Sequence, residues 1–185
     1  MSLFTRKKPK EEKTQITEQD RIKLRESYIS FLEKTAKENK NQFLTNGGKD
    51  YSILLLKELF KNTHHVVRIF CNNDNLEIWE DKQFIEFIDN ILIEKGIVLK
   101  IATNNRMFFD NLPFSKFNVF VSELTENGLK SIYEHFRNDH CGFAIFDDKG
   151  IRYEYNTKEI KSYANFNDKE SASVLINLFE NSIIK

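Results

Sequence analysis

The spacing of apolar side chains predicts two helices in the first third of the chain. Thr17 is a typical helix N-cap with Asp20 three residues on, and apolar residues then recur every three or four positions to about Asn39. The next predicted helix, from about Lys49 to Phe60, is apolar nearly all round, so we expect it at the centre of the fold. The apolar stripe of the first helix must pack on its own domain or on a partner helix.

A strand, a helix and a second strand follow in direct succession. Residues 66–71 form an apolar run, residues 81–95 carry apolar side chains at helical spacing, and Gly96 stands where a left-handed helix cap belongs. A second apolar run follows at once over residues 97–103. A crossover of this length permits parallel pairing of the two strands. This succession is the main indication of the fold.

The second half of the chain continues the same alternation. Residues 117–122 are predicted to be a strand, Thr125 to cap a helix, and residues 141–146 to form a further strand. A tight turn then leads into an antiparallel return over residues 151–155. With a last helix capped by Asp168, the pattern predicts an α/β fold with a mixed β-sheet flanked by helices.

Composition divides the chain into three parts. Residues 1–16 are charged and poor in apolar side chains, so we expect a disordered leader. Residues 17–48 are predicted to hold the N-terminal amphipathic helix and a linker, and residues 49–185 the α/β domain. The 17 phenylalanines predict a core rich in aromatic rings and an aromatic self-association surface.

Charge and cysteine content limit the classes of function. The 28 basic and 28 acidic residues give a net charge of zero. This balance argues against nucleic-acid binding by a basic surface that extends over the whole protein. A local basic cluster remains in the leader at Arg6, Lys7, Lys8 and Lys10, where it can contact nucleic acid or anionic lipid or be simply solvated. The two cysteines form no Cys-x-x-Cys pair, so we expect no metal and no cofactor.

The same composition gives an expectation about location. No apolar stretch approaches the ~18 residues that span a bilayer. Charges begin at Arg6, so we expect that no signal-peptide core follows the first four residues. We therefore expect a cytoplasmic protein without a membrane span.

Polar residues follow the predicted strands where ligand loops of α/β proteins lie. Asn72 follows the first strand, and Asn104 and Arg106 follow the second. Together with His140, which leads into a later strand, they define a candidate cleft. The alternative is that the asparagines only make turns. The chain has no glycine-rich phosphate loop, so binding of a nucleotide by such a loop is excluded.

The segment from His140 to Asp147 resembles the His-x-Lys-x-x-x-x-Asp motif of the phospholipase D-like superfamily. The histidine and the aspartate keep the motif spacing, but Gly142 stands at the lysine position. Glu154 and Tyr155 stand where the family has a Gly-Ser pair, and Asn165 resembles the asparagine of the family's closing segment. The resemblance covers roughly residues 50–183 and implies one half-unit of that fold.

The resemblance also implies a set of functions. In active members of the family the histidine attacks phosphorus, and single-motif chains form dimers. Carried over, His140 would be the nucleophile, Asp147 its supporting acid and Asn165 a phosphate contact. Without the lysine and the Gly-Ser pair, we expect a non-catalytic module that acts by self-association or as a regulatory or scaffolding component of a bacterial system. The alternative is a metal-independent phosphodiesterase or nuclease, active as a dimer through His140.

Overall fold

A computed structural model describes residues 17–72, 76–114 and 118–183. Within these ranges each predicted helix and strand is present, with ends that agree to within two residues. The helices are α1 (Glu18–Glu38), α2 (Lys49–Lys61), α3 (Lys82–Lys95), α4 (Arg106–Asp110), α5 (Glu126–Phe136) and α6 (Lys169–Ser182). The strands are β1 (Leu44–Asn46), β2 (Val66–Cys71), β3 (Val98–Thr103), β4 (Val119–Glu123), β5 (Gly142–Phe146), β6 (Gly150–Asn156) and β7 (Lys161–Asn165).

The seven strands form one mixed sheet in the order β1-β7-β6-β5-β2-β3-β4. The predicted parallel pairing of β2 with β3 is confirmed, and β4 continues it in parallel. From β2 in the other direction, every pairing is antiparallel, including the predicted hairpin of β5 and β6. The predicted α/β fold with a mixed sheet is therefore confirmed.

Two layers of helices cover the two faces of the sheet. Side chains of α1, α2 and α3 pack in one core cluster, and side chains of α5 and α6 pack in a second. Phenylalanines supply much of both clusters, for example Phe60 and Phe84 in the first and Phe143 and Phe179 in the second. The aromatic core expected from the composition is present in this part of the chain.

The helix ends form as the sequence predicts. Thr17 and Asp20 make a reciprocal capping box at the start of α1. The side chains of Thr125 and Asp168 accept hydrogen bonds from the first turns of α5 and α6. Gly96 ends α3 with φ 66°, a left-handed conformation that glycine adopts without strain. Local capping chemistry therefore sets these boundaries.

Three elements were not among the predicted ones: β1, β7 and the short helix α4. β1 lies in the segment expected to be a linker, and it joins the sheet by pairing with β7. α1 packs its C-terminal half on its own domain, where Leu32, Thr35 and Ala36 are buried. Among the described residues, none of the helices combines the length and the apolar character that crossing a bilayer requires.

Candidate functional site

The residues singled out in the sequence fall at two opposite ends of the sheet. His140 lies just before β5, at the end where the neighbouring strand β2 finishes, and we call this the His140 end. Asp147 directly follows β5 and lies at the other end, which we call the Asp147 end. The two motif residues are therefore separated by the full length of β5.

His140 is held by its backbone, while its ring is accessible. Its amide donates to Asn138 Oδ1 at 2.9 Å, and its carbonyl accepts from the Thr157 amide at 3.4 Å. The side chain is 44% exposed, and Nε2 lies 3.7 Å from Asp139 Oδ1. Asn72 reaches the same place, since its Nδ2 donates to the Asp139 carbonyl at 3.2 Å. The structure thus places Asn72 against the residue that directly precedes His140.

Asn104 and Arg106 lie beside this end of the sheet on the neighbouring strand. Cys71 pairs with Thr103 in the parallel register, so the residues that follow each strand are neighbours. Asn104 is exposed. Arg106 begins α4, and its Nε forms a half-exposed ion pair with Asp110 Oδ2 at 3.2 Å. The guanidinium therefore has a carboxylate partner on its own helix.

Asp147 holds the backbone at the start of β2. Its two carboxylate oxygens accept hydrogen bonds from the amides of His64, His65 and Val66 at 2.9, 2.8 and 3.0 Å. Its own amide donates to the Val66 carbonyl at 2.8 Å. Asp147 thus ties the turn after β5 to the neighbouring strand, far from the imidazole of His140.

Asn165 also lies at the Asp147 end. It is fully buried at the end of β7, its Nδ2 donates to Asn41 Oδ1, and its Oδ1 accepts from the Asn167 amide at 2.9 Å. These contacts link β7 to the segment between α1 and β1. The structure therefore does not bring Asn165 near His140.

The surroundings of Gly142 decide what the motif can do chemically. In the hairpin of β5 and β6, Gly142 pairs with Glu154, and Ala144 pairs with Arg152. Arg152 Nη1 lies 3.3 Å from Glu154 Oε2, and the two side chains are only 6% and 4% exposed. A Cβ atom added at Gly142 would lie 3.6 Å from Glu154 Oε2. A buried carboxylate therefore lies beside the position that carries a lysine in the phospholipase D-like motif.

The buried pair is part of a polar cluster between the sheet and α2. Arg152 Nη2 donates to Ser52 Oγ at 3.3 Å, and Asn46 Nδ2 donates to the same oxygen at 2.8 Å. The adjoining cavity has a volume of about 30 Å³, which is enough for about one or two water molecules. Arg152 Nε and Thr157 Oγ1 have no hydrogen-bond partner among the described residues, and a water in this cavity would supply one.

The sequence analysis did not predict the buried Arg152–Glu154 pair. The predicted hairpin does imply which residues of its two strands lie opposite each other. Phe146 and Gly150 close the turn, and counting back along both strands places Gly142 opposite Glu154. Because paired residues point to the same face of a sheet, the two positions must share their surroundings. What the sequence does not show is that this face is covered by α1 and α2.

The two cysteine thiols are poorly suited to nucleophilic chemistry. Cys71 and Cys141 are both buried. Burial raises the pKa of each thiol to about 12, so the nucleophilic thiolate is scarce at neutral pH. In the described parts of the chain, no three His, Cys, Asp or Glu side chains are grouped so as to hold a metal ion.

Comparison with known proteins finds similarity at the level of the fold. No family model and no curated protein matches the chain. TrmBL2, an archaeal chromatin protein whose structure shows a novel mode of DNA binding, is similar with a TM-score of 0.52 and 13% identity over 88% of this chain. Phosphatidylserine synthase of Haemophilus influenzae Rd KW20 has a TM-score of 0.48 and 11% identity, over 77% of this chain and 39% of its own. The chain spans 63% of TrmBL2, so the likeness is to the fold of part of that protein.

Proposed function

We propose that the chain is a non-catalytic phospholipase D-like module that acts by self-association, as a regulatory or scaffolding component of a bacterial system. The observation that carries this proposal is the Glu154 carboxylate beside Gly142, buried and paired with Arg152. A phosphate-handling site of this family has a cation at that position. Here a phosphate oxygen would meet a carboxylate in a poorly solvated space, where like charges repel strongly.

The neighbouring arginine does not replace the missing lysine. Its guanidinium is 6% exposed and faces Glu154 and Ser52, and the adjoining cavity is too small for a phosphate ester. Loss of one positioned donor in an anion-stabilising site commonly lowers the rate by about 10²–10³-fold. Asp147, the other motif residue, already accepts three backbone hydrogen bonds. These contacts favour a structural role for the motif strand.

The edge strand β4 is the surface that favours association with a second copy. Among the described residues β4 pairs only with β3, so its outer row of backbone groups can accept a further strand. Directly after β4, Leu124 forms a bridge with Ile183, which limits the available edge to the five residues of β4. Phe120 on this strand is 56% exposed. The opposite edge, β1, is only three residues long and offers far less backbone for pairing. Antiparallel pairing of two β4 strands would join two sheets about a twofold axis.

Gel filtration with light scattering on the eluting protein tests this association. We expect the parent to elute as a dimer, and Phe120→Lys to shift it toward the monomer, because a charge at the centre of a strand–strand contact opposes its burial. Ile93→Lys on α3 is the matched control, since Ile93 is also exposed, at 61%. A parent that is strictly monomeric at high concentration, or a Phe120→Lys variant as dimeric as the control, would contradict the proposal.

The alternative enzyme, a metal-independent phosphodiesterase or nuclease, is supported by the accessible ring of His140. The test is cleavage of single- and double-stranded DNA in EDTA by the parent and by His140→Ala. We expect no cleavage by either protein. Cleavage by the parent that disappears in His140→Ala would establish the enzyme instead, whereas equal cleavage by both would indicate a contaminant.

The basic leader gives a separate proposal for a partner. Arg6, Lys7, Lys8 and Lys10 lie outside the described residues. DNA binding is a property of TrmBL2 by its description, and a cluster of cations is the feature of this chain that suits a nucleic-acid backbone. Deletion of residues 1–13 should then weaken DNA binding and flatten its salt dependence. Binding with an unchanged salt slope after the deletion would exclude the leader as the contact.

A further inference from the structure

A second cavity, at the Asp147 end of the sheet, has a cationic rim. Its volume is about 240 Å³, and it lies between the ends of α1 and α2 and the turn from β5 to β6. Lys37 and Asn39 line it from α1, His64 from the segment before β2, and Lys149 from the turn. We call this the Lys149 cavity. It is separate from the His140 end and takes no part in the function proposed above.

The positive charges of this cavity lack acidic partners. None of the described residues that line it is acidic, and neither Lys37 nor Lys149 forms an ion pair with a described residue. Two nearby carboxylates are already engaged. Asp147 accepts from three backbone amides, and Glu58 contacts Lys61 and the side chain of Asn62.

The helix ends account for these cations only in part. Lys37 lies in the last turn of α1, where a positive charge is favourable. The C-terminus of a helix attracts positive charge through its free carbonyl groups. At the end of α1, the Ala36 carbonyl accepts from the Asn39 amide. Beyond the end of α2, Lys95 Nζ donates to the carbonyl groups of Lys61 and Thr63. Lys149 Nζ donates to Oδ1 of Asn39, the cap residue of α1, at 3.4 Å. This hydrogen bond is long and exposed, so a phosphate oxygen can replace Asn39 Oδ1 as its acceptor.

The walls of the cavity are fixed by hydrogen bonds. Asn167 Nδ2 donates to the Asn39 carbonyl at 2.9 Å, and the Lys149 carbonyl accepts from the Asp168 amide at 2.7 Å. Asp147 holds the backbone of His64 at 2.9 Å. The cationic side chains thus project from three backbone segments that are already anchored, which reduces the entropy lost when a ligand orders them.

We propose that the Lys149 cavity binds the phosphate group of a small molecule. Two ammonium groups, an imidazole and the amide of Asn39 supply the donors that an oxyanion requires. The floor contains Leu59, Phe146 and Phe166, and such apolar surroundings strengthen charged hydrogen bonds. The volume lies below the roughly 300–1,000 Å³ of pockets for drug-sized ligands. The ligand is therefore inorganic phosphate or a short phosphate monoester.

Isothermal titration at constant ionic strength tests the proposal with inorganic phosphate, glycerol phosphate and chloride. We expect saturable binding of at least one of the two phosphate compounds and none of chloride. Lys149→Met and Lys37→Met should each weaken that binding about tenfold, because each removes one charged hydrogen-bond donor. Lys130→Met is the matched control. Lys130 is exposed on α5, in the other helical layer, and should leave the affinity unchanged.

The two phosphate compounds separate the possible sources of the ligand. Tighter binding of glycerol phosphate identifies a monoester, and tighter binding of inorganic phosphate identifies the free ion. Binding that is equal in the parent and in both cavity variants would overturn the proposal, as would chloride that competes as well as phosphate. Failure of this test leaves the light-scattering and DNA-cleavage tests untouched, because those concern β4 and His140.

Discussion

Replacement of Asp147 by alanine tests whether the motif aspartate is structural. The carboxylate accepts hydrogen bonds from the amides of His64, His65 and Val66 at distances of 2.8 to 3.0 Å. The residue also adopts φ 54°, a left-handed conformation that asparagine and aspartate tolerate better than alanine. Asp147→Ala therefore removes three backbone anchors and places alanine in an unfavourable backbone conformation.

The expected loss of stability follows from the exposure of the three amides. The amides of His64 and His65 are exposed and can bind water instead, so each contributes only about 0.5 kcal/mol. The Val66 amide is partly buried, and its bond to a charged acceptor contributes about 1.5 kcal/mol. The left-handed backbone adds about 1 kcal/mol. The free energy of unfolding should therefore fall by about 3.5 kcal/mol.

Urea unfolding followed by fluorescence measures this loss. Trp79 is the single tryptophan of the chain and is buried, so it reports loss of the core directly. With an m-value of about 2 kcal/mol/M, the urea midpoint should move down by about 1.8 M. Asp147→Asn keeps a side-chain oxygen and tolerates the backbone conformation, so it should lose about half as much.

The neighbouring residue provides the control for Asp147. Asp148 is exposed in the same turn, and Asp148→Ala should change the free energy of unfolding by less than about 0.5 kcal/mol. Equal midpoints for Asp147→Ala and Asp148→Ala would refute the anchoring role. The aspartate would then be available for another function.

Three further predictions concern the packing of the domain. A Cβ at Gly128 would lie 2.6 Å from Ser182 Cα, so Gly128→Ala should lower the free energy of unfolding by about 1–2 kcal/mol. A Cβ at Gly47 would make only an ordinary contact, 3.7 Å from Lys161 Cγ, so Gly47→Ala should change the free energy of unfolding by less than about 0.5 kcal/mol in the same urea titration. Arg152→Met leaves the buried Glu154 carboxylate without its guanidinium and should cost about 3–5 kcal/mol, and adding Glu154→Leu should restore most of this; equal stability of the single and double variants would contradict the pairing. The two buried thiols, with pKa values raised to about 12 by burial, should resist a thiol reagent at pH 8 until urea unfolds the protein, and rapid reaction of the native chain would show that they are accessible.

The sequence predicts the regular elements because their signals are local. Thr17, Thr125, Asp168 and Gly96 mark helix ends through contacts with residues three or four positions away. The strands β1 and β7 lack such a signal, being three and five residues long, with polar residues among the apolar ones. β1 is a strand because it pairs with β7 at the edge of the sheet, and that partner is distant in sequence. β7 lies between β1 and β6, and its pairing with both of them stabilises it as a strand.

The candidate site likewise has features that the sequence determines and features that depend on the tertiary structure. The sequence by itself determined that parallel strands bring Asn72 and Asn104 to one end of the sheet, because strand direction fixes which loops meet. Only the tertiary structure decided that Asp147 anchors His64 and its neighbours, and that a buried carboxylate lies beside Gly142. These contacts join residues far apart in the chain, and burial depends on which helices cover a face of the sheet. The spacing of a sequence motif shows neither the long-range contacts nor the burial, because the motif residues keep the same separation along the chain in any surroundings.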